Sequence, residues 1–262
     1  MLLGECTWVD VKKYLEQSDL VLLPVGSTEQ HGPHLPLDTD TYDAVWICKR
    51  VAEVLKEEGI GVMICPPLYF GVSLHHMDFP GTVSLMPETL SAVVFDICSS
   101  LYRHGFRKFV IVNGHGGNRP ALNAAAQNLK AAYPDILVVI ETFGLVSDVI
   151  SEILETKEWD IHAGEIETST SLYNREDLVR KDRVVREVPE EMPSKYMKLG
   201  FRVREPKVDS FSFSTKELSK SGVIGDATKA SKEKGKILLE ASVERLADLI
   251  RDLVKRLSLI HI

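Results

Sequence analysis

Two hydrophobic patterns alternate along the first two-thirds of this chain of 262 residues. Short apolar runs that end at Gly or Pro predict buried strands, and longer stretches with apolar residues three or four positions apart predict amphipathic helices. The predicted strands are Leu20–Val25, Gly61–Cys65, Phe109–Asn113 and Ile136–Glu141. The predicted helices are Thr41–Lys56, Pro87–His104, a segment after Asn118 that ends near Ala132, Gly144–Thr156, Glu165–Tyr173 and Asp226–Leu257.

This alternation is typical of right-handed βαβ crossovers, which produce a parallel sheet with helices on both faces. We therefore expect a mainly parallel α/β fold and a single domain over residues 1–262. Leu178–Gly225 departs from the pattern, because it is polar, punctuated by Pro and only weakly periodic. It is interpreted as either an edge hairpin or an arm that contacts another subunit.

Composition narrows the class of protein. Hydrophobic residues make up 44% of the chain and charged residues 26%, values typical of a soluble globular protein. The net charge of -7 argues against a nucleic-acid or anionic-membrane partner, because both need a basic surface. No apolar run approaches the roughly 20 residues that span a bilayer, and Met1–Asp10 lacks a signal-peptide pattern. The four scattered cysteines favour reduced thiols, so we expect a cytoplasmic protein.

The stretch Gly26–Asp43, directly after the first predicted strand, is unusually rich in ionisable side chains. These are Glu29, His31, His34, Asp38, Asp40 and Asp43. Glu29 and His31 are two positions apart, which on an extended segment puts both side chains on one side. Asp40 adds a carboxylate that could bridge two ions. Carboxylate and imidazole ligands suit Zn²⁺, Mn²⁺ or Fe²⁺ better than Ca²⁺.

Each of these residues also has an ordinary explanation. Glu29 and His31, taken singly, would more often be solvated loop residues, and Asp38 and Asp40 could cap the following helix. For Asp38 we prefer the helix cap. The metal hypothesis depends on the whole set rather than on any one residue.

A second loop supplies His115, which follows another predicted strand in the sequence Gly114-His115-Gly116-Gly117-Asn118. The carboxyl ends of parallel strands share one edge of a sheet, where ligands gather near the reversal of strand order. Both loops should therefore place His and carboxylate groups together. The alternative is a phosphate-binding loop at a helix start, but the GxxxxGK[ST] and GxGxxG patterns are absent from this loop.

The third chemical stretch is Trp159–Glu167. His162 could move a proton near neutral pH, because the ordinary pKa of histidine is about 6.5. Either Glu165 or Glu167 could complete a metal shell, and Trp159 could close an apolar wall over a small ligand. A closed structural metal site is a further alternative, but such sites usually have four protein ligands and no room for water.

Taken together, these motifs resemble the creatininase family of metal-dependent hydrolases. The motifs that carry the resemblance are GSTEQHGPHLPLDTD (Gly26–Asp40), FPGTVSL (Phe79–Leu85), NGHGGN (Asn113–Asn118), HAGEIETS (His162–Ser169) and Gly225–Ser231. The resemblance implies a three-layer α/β/α fold and two divalent metal ions. It implies that Glu29 and His115 hold one ion, that His31 and Glu167 hold the other, and that Asp40 bridges them.

The resemblance also implies the catalytic roles. His162 matches the family's proton-transfer histidine, and Trp159 matches a tryptophan over the substrate. We assign His162 and Glu167 to catalysis and Trp159, His75 and Gly116 to the substrate pocket, with His76 as a second wall residue. The implied reaction is hydrolysis of a non-peptide C–N bond of a small amide by a hydroxide that the two metals activate, in a homo-oligomer.

Two positions depart from the creatinine hydrolases of the family. Those enzymes have Tyr and then Glu between the His and Asn of the third motif, where this chain has Gly116 and Gly117. The change argues against creatinine as the substrate. Other branches share the Gly-Gly form, including a formamide hydrolase that acts on a formamidopyrimidine nucleotide in flavin and deazaflavin biosynthesis and a peptidase that matures a peptide-derived redox cofactor.

Overall fold

The computed structural model describes residues 1–156, 159–189, 194–197 and 212–257. Its helices are α1 (Trp8–Leu15), α2 (Thr39–Glu57), α3 (Pro87–His104), α4 (Arg119–Ala132), α5 (Ser147–Ile153), α6 (Glu165–Asn174), α7 (Thr215–Leu218) and α8 (Lys232–Leu257). Its strands are β1 (Leu20–Val25), β2 (Met63–Ile64), β3 (Lys108–Asn113), β4 (Leu137–Glu141), β5 (Arg186–Glu187) and β6 (Gly225–Asp226).

The central sheet is parallel and has the strand order β2-β1-β3-β4. β1 and β3 pair so that Val25 lies opposite Asn113, and their carboxyl ends are therefore level. The chain passes from β1 to β2 on one side and then to β3 on the other, so strand order reverses between β1 and β3. Ligands of open α/β sheets bind outside the carboxyl ends at such a point.

Helices cover both faces of this sheet. Side chains alternate along β1, so Val21 and Leu23 enter a core that α1, α3 and α4 complete. Leu20 and Leu22 enter a second core with α2 and α8. The predicted parallel α/β fold and the three-layer α/β/α arrangement are confirmed.

Several helix ends follow from local sequence, and α3 has the predicted bounds. Pro87 occupies its first turn, and Gly105 ends it with a φ of 116° that favours glycine. The sequence analysis missed α1, a short helix with Lys12 and Lys13 inside it. Its start carries a capping box in which the Thr7 side chain accepts from Asp10 N–H, a signal that was available.

β4 begins one residue later than predicted, and three other predicted elements are substantially shorter in the structure. Only Met63–Ile64 of the predicted second strand pairs with β1. The predicted helix Gly144–Thr156 is a 3₁₀ turn followed by α5, which ends at Ile153. The last helix begins at Lys232 rather than Asp226, because Gly225–Asp226 is strand and Ser231 Oγ accepts from Lys234 N–H at 3.2 Å.

Leu178–Gly225 is described only in part, since residues 190–193 and 198–211 lie outside the described ranges. Its described parts include α7 and β5, and β5 pairs antiparallel with β6. The interpretation as an oligomer-contact arm stays a prediction. Within the described ranges, each helix is too short or too polar to span a bilayer. The four cysteines are unpaired thiols.

Candidate metal centre

Three loops meet beyond the carboxyl ends of β1 and β3. Gly114 N–H donates to Val25 O at 2.8 Å, which continues the pairing of the two strands past their ends. Asn118 then joins the loops, because its Nδ2 donates to Gly26 O at 3.0 Å and its Oδ1 accepts from Val72 N–H at 2.8 Å. The loops after β1, after β2 and after β3 are thereby held in one frame.

Two of the glycines in this frame, Gly114 and Gly117, leave no room for a side chain. A Cβ on Gly114 would collide with the backbone of Asp40, so the end of β3 could not lie against the start of α2. A Cβ on Gly117 would collide with His115 Nε2 and Val72 O. Gly116 is different, since a Cβ there would meet nothing within 4 Å.

Six buried or half-buried side chains converge at this edge, and we call them the carboxylate–imidazole cluster. They are Glu29, His31, Asp40, His115, His162 and Glu167. Asp40 lies at the centre, with Oδ1 3.0 Å from His31 Nε2 and Oδ2 3.1 Å from His115 Nδ1. His115 Nδ1 is also 3.2 Å from Glu29 Oε1.

Glu167 and His162 reach the cluster from the N-terminal end of α6 and the loop before it. Glu167 Oε2 lies 3.8 Å from His31 Nε2 and 3.9 Å from His162 Nδ1. Three triads have ligand atoms within 4.8 Å of one another: Glu29–Asp40–His115, His31–Asp40–Glu167 and Glu29–His31–His162. Asp40 belongs to the first two.

Backbone carbonyl groups fix the tautomers of three imidazoles, because a carbonyl oxygen can only accept a hydrogen bond. The pairs are His115 Nε2 to Val72 O (3.0 Å), His31 Nδ1 to Glu29 O (3.1 Å) and His162 Nε2 to Gln30 O (2.6 Å). In its neutral form each ring therefore turns an unprotonated nitrogen toward the carboxylates. Metal-ligating histidines are held in this way.

The residues of the cluster fit a divalent cation. Glu29 Oε1 and Asp40 Oδ2 are buried and accept no hydrogen bond from the described residues. Both face His115 Nδ1 at 3.2 and 3.1 Å. Buried acceptors without a donor destabilise a fold, and neutral His115 would add a third lone pair there. A cation removes this conflict, and the nitrogen and oxygen donors suit Zn²⁺, Mn²⁺ or Fe²⁺.

Without a cation, protons take its place. Burial lowers the pKa of His31, but the carboxylate of Asp40 and its neighbours outweigh burial and raise that pKa to about 10. The same balance raises the pKa of His115 well above its ordinary value. Burial raises the pKa of Glu167 to about 8. Burial and the charge of His31 lower the pKa of His162 to about 3, so its Nδ1 is an unprotonated acceptor.

The residues assigned to the substrate pocket lie in different surroundings. His75 is half-buried, and its ring stacks on that of His115 with centroids 5.7 Å apart. Gly116 is exposed beside His115. Trp159 is half-buried directly before Asp160. Their roles toward a substrate stay predictions.

Glu165 does not join the cluster, although the sequence offers it as an alternative to Glu167. Its Oε2 accepts from Thr156 N–H at 2.8 Å, and its Oε1 accepts from Lys234 Nζ at 2.6 Å. Asp38 is at the N-terminal end of α2 but makes no capping hydrogen bond. Its carboxylate instead accepts from Arg175 Nη1 at 2.7 Å, so Asp38 holds the predicted N-cap position without the side-chain hydrogen bond of a cap.

Two residues close to Glu29 were missed in the sequence analysis. Ser73 Oγ donates to Glu29 Oε2, and the amide of Gln30 contacts His76. Ser73 carries no local signal, because its contact spans 44 positions of the chain. Gln30 had a signal, since it lies between two candidate ligands, but side-chain direction could not be inferred from it.

The fold and the cluster together define an α/β/α protein with a candidate site for divalent cations. A family model described as creatinine amidohydrolase, of the creatininase family, matches residues 4–250. The chain therefore belongs to the creatininase family.

Similar proteins carry three different activities. Creatinine amidohydrolase of Pseudomonas putida is 35% identical over 96% of both chains. The 3-dehydro-scyllo-inosose hydrolase of Thermotoga maritima is 30% identical over 95% of this chain and 82% of that protein. The mycofactocin precursor peptide peptidase of Mycolicibacterium smegmatis is 35% identical over 88% of this chain and 84% of that protein. Membership of the family thus leaves the substrate open.

Solved creatininase structures agree with the fold over nearly the whole chain. A crystal structure of creatininase superposes with a TM-score of 0.81 at 32% identity, covering 95% of this chain and 96% of the other. One described as creatininase Mn has a TM-score of 0.81 at 33% identity, covering 96% and 97%. A mutant creatininase of the Zn-Zn type has a TM-score of 0.81 at 31% identity, also covering 96% and 97%.

Proposed function

We propose that this protein is an amidohydrolase that binds two divalent cations and cleaves a non-peptide C–N bond of a small molecule. The position of Asp40 carries the proposal. Its two oxygens face different histidines, Oδ1 toward His31 and Oδ2 toward His115, at 3.0 and 3.1 Å. One carboxylate is thereby common to two ligand triads, an arrangement suited to a bridged pair of ions.

The other ligands divide between the two positions. Glu29 and His115 would hold one cation, and His31 and Glu167 would hold the other, with Asp40 between them. When bound, the pair would polarise a substrate carbonyl group and lower the pKa of a water molecule. The protein fixes the ligands beforehand, because its own backbone sets the His31 and His115 tautomers.

His162 supplies the proton-transfer group. Its Nε2–H is held on Gln30 O, so Nδ1 is the nitrogen that faces the cluster, 3.7 Å from Glu29 Oε1. Because the ring hydrogen is on Nε2, Nδ1 can take a proton from the attacking water and pass it to the leaving nitrogen. A positioned group of this kind contributes about 10²–10⁴-fold in rate.

Replacement of His162 tests this role. His162→Ala should retain both cations and lose about 10²–10⁴-fold in kcat, the usual range for general acid–base catalysis. Metal analysis and turnover would be measured on the same preparation. Full activity in the variant would remove His162 from the mechanism, whereas loss of a cation would make it a ligand.

Gly116 and Gly117 narrow the range of possible substrates, but they do not identify the substrate. The open space at Gly116 favours a bulkier amide or a formamide over creatinine, and a formamidopyrimidine nucleotide is the alternative substrate. A non-catalytic phosphate-binding loop is disfavoured, because His115 in that loop faces the carboxylates of Glu29 and Asp40, which would repel an anion.

A substrate panel on purified protein tests the proposed function. Creatinine, a formamidopyrimidine nucleotide and short peptides would be incubated with metal-loaded protein and with chelated protein. We expect hydrolysis of an amide or formamide that stops on chelation and returns with Zn²⁺, Mn²⁺ or Fe²⁺. Hydrolysis that survives complete removal of metal would contradict the proposal.

A further inference from the structure

His76 is a buried histidine beside the carboxylate–imidazole cluster, on the 3₁₀ turn Leu74–His76. Its Nε2 lies 3.4 Å from Glu29 Oε1, and its ring centroid lies 4.1 Å from that of His162. His76 is therefore in contact with the cluster itself, whereas a residue of the pocket wall needs to contact only the substrate.

Hydrogen bonds on the far side of the ring determine its tautomer. His76 Nδ1 lies 2.9 Å from Gln30 Nε2. The Gln30 amide cannot be flipped, because its Oε1 accepts from Gly32 N–H at 2.9 Å and its Nε2 donates to Gly222 O at 3.1 Å. Gln30 therefore presents a hydrogen to His76 Nδ1, which must be unprotonated, and the ring hydrogen is on Nε2.

Close packing keeps Gln30 in this orientation. Gly222 has a φ of 89° and lies directly against the amide, so that a Cβ there would collide with it. The hydroxyl of Thr215, with Oγ1 2.8 Å from His76 Nδ1, is a second donor beside the Gln30 amide. The direction of the His76 N–H is thus set by residues from three separate segments of the chain.

The direction of hydrogen bonding of His76 is consequently opposite to that of the three histidines of the cluster. In their neutral forms, His31, His115 and His162 hold their N–H groups on backbone carbonyls and turn unprotonated nitrogens inward. His76 accepts on the outside and turns an N–H inward. In this tautomer it cannot ligate a cation through Nε2, but it can donate to a carboxylate.

Glu29 is the carboxylate within reach. Its Oε2 already accepts from the Ser73 hydroxyl, whereas its buried Oε1 has no hydrogen bond from the described residues. The 3.4 Å separation from His76 Nε2 is a few tenths of an ångström longer than a normal hydrogen bond. A small rotation of the carboxylate would close it.

We propose that His76 is a positioning residue, which donates its Nε2–H to Glu29 Oε1 and so orients that carboxylate for the cation it shares with His115. Ser73 and His76, three positions apart on one loop, would then each hold one oxygen of Glu29. This inference rests on the proposed function, because the orientation of Glu29 matters only if it binds a cation.

The affinity for Zn²⁺ tests the inference. The two dissociation constants would be measured by competition with a chromogenic chelator in the wild type, His76→Phe and His104→Phe. His76→Phe should weaken one cation about 10–100-fold, as expected for a group that orients a ligand, and leave the other unchanged. His104→Phe is the control for the same substitution, since His104 is exposed at the end of α3, and it should leave both constants unchanged.

The outcomes separate the two proposals. Wild-type protein that binds no Zn²⁺ would overturn the proposed function and the inference with it. Wild-type protein that binds Zn²⁺, with equal affinity in His76→Phe, would overturn only the role of His76. Nitrogen-15 NMR of the metal-free wild type gives a second test that needs no variant: we expect hydrogen on His76 Nε2, and hydrogen on Nδ1 would overturn the inference.

Discussion

Glu165 and Glu167 lie two positions apart in the first turn of α6, yet they belong to different kinds of buried polar region. Glu165 accepts from the backbone and hydroxyl of Thr156 at 2.8 and 2.6 Å and pairs with Lys234 Nζ at 2.6 Å. Glu167 accepts from Ala163 N–H at 2.5 Å and otherwise faces His31 and His162 at 3.8 and 3.9 Å.

The contrast shows what distinguishes a structural carboxylate from a candidate ligand. Glu165 is fully buried and Glu167 is half-buried, so burial does not identify the candidate ligand. The difference is in their partners. Glu165 has the ammonium group of Lys234 and several hydrogen-bond donors, whereas Glu167 faces His31 and His162, whose other ring nitrogens are held on backbone carbonyls. The first arrangement is complete, and the second is completed by a proton or a metal ion.

Replacement of Asp40 and of Asp43, both on α2, should show the largest difference in metal binding between a candidate ligand and a structural carboxylate. Asp40→Ala should lose both cations, because its oxygens face both metal positions. The loss of affinity should exceed the roughly 10–100-fold typical of a residue that only orients a ligand. Asp43 accepts from Thr170 Oγ1 and Asn174 Nδ2 at 2.7 and 2.6 Å, so Asp43→Asn should keep both cations. Metal analysis after gel filtration would compare them, and equal metal content would contradict the assignment.

Lys234→Met tests the region around Glu165, where the protein itself supplies the cation and the hydrogen-bond donors. The variant leaves the buried Glu165 without its cation, and removal of one partner from a buried pair destabilises by about 3–5 kcal/mol. Chemical denaturation would measure the change in the free energy of unfolding, with metal content measured below the transition. A stable variant that loses metal would show that the two regions are not independent.

Substitutions at the adjacent Gly116 and Gly117 should have a smaller effect on metal affinity. Gly117→Ala places a Cβ against His115 Nε2 and Val72 O, which should break the hydrogen bond that sets the His115 tautomer and weaken its cation about 10–100-fold. Gly116→Ala has open space and should leave metal affinity unchanged. Similar Zn²⁺ affinities in the two variants would indicate that the tautomer of His115 is unimportant.

The effect of pH should differ between metal-free and metal-loaded protein. The pKa of His31 rises from 6.5 to about 10 on folding without metal, so its stabilisation is present below pH 6.5 and is lost as pH rises toward 10. A cation must displace this proton, so affinity should rise about tenfold per pH unit for each proton displaced. Thermal melts with and without Zn²⁺ from pH 6.5 to 9 would check these opposite trends, and parallel curves would contradict them.

Sequence predicted the fold and the convergence at the sheet edge because both follow from local pattern. Apolar runs marked β1 and β3, and parallel pairing brings their ends together whatever the side chains do. Asp38 holds the predicted N-cap position of α2, but its side-chain partner could not be predicted, because Arg175 is 137 positions away. Glu165 and Glu167 could not be separated either, since the difference depends on Lys234 of α8 and on the rotation of α6.

The orientation of His76 could not be predicted from the sequence either, because it depends on residues far apart in the chain. It depends on Gln30, which is held in turn by Gly222, and these residues are separated by 192 positions. Hydrogen-bond direction is decided by such long-range packing. The identity of candidate ligands can be predicted from a motif, but their protonation cannot.

The central claim is that Asp40 bridges a pair of cations, and electron paramagnetic resonance of Mn²⁺-loaded protein tests it most directly. Mn²⁺ would be titrated into metal-free protein until two ions per chain are present. The account predicts a spectrum of magnetically coupled ions that is abolished in Asp40→Ala. Absence of bound Mn²⁺, or a spectrum that is the simple sum of isolated ions, would contradict it.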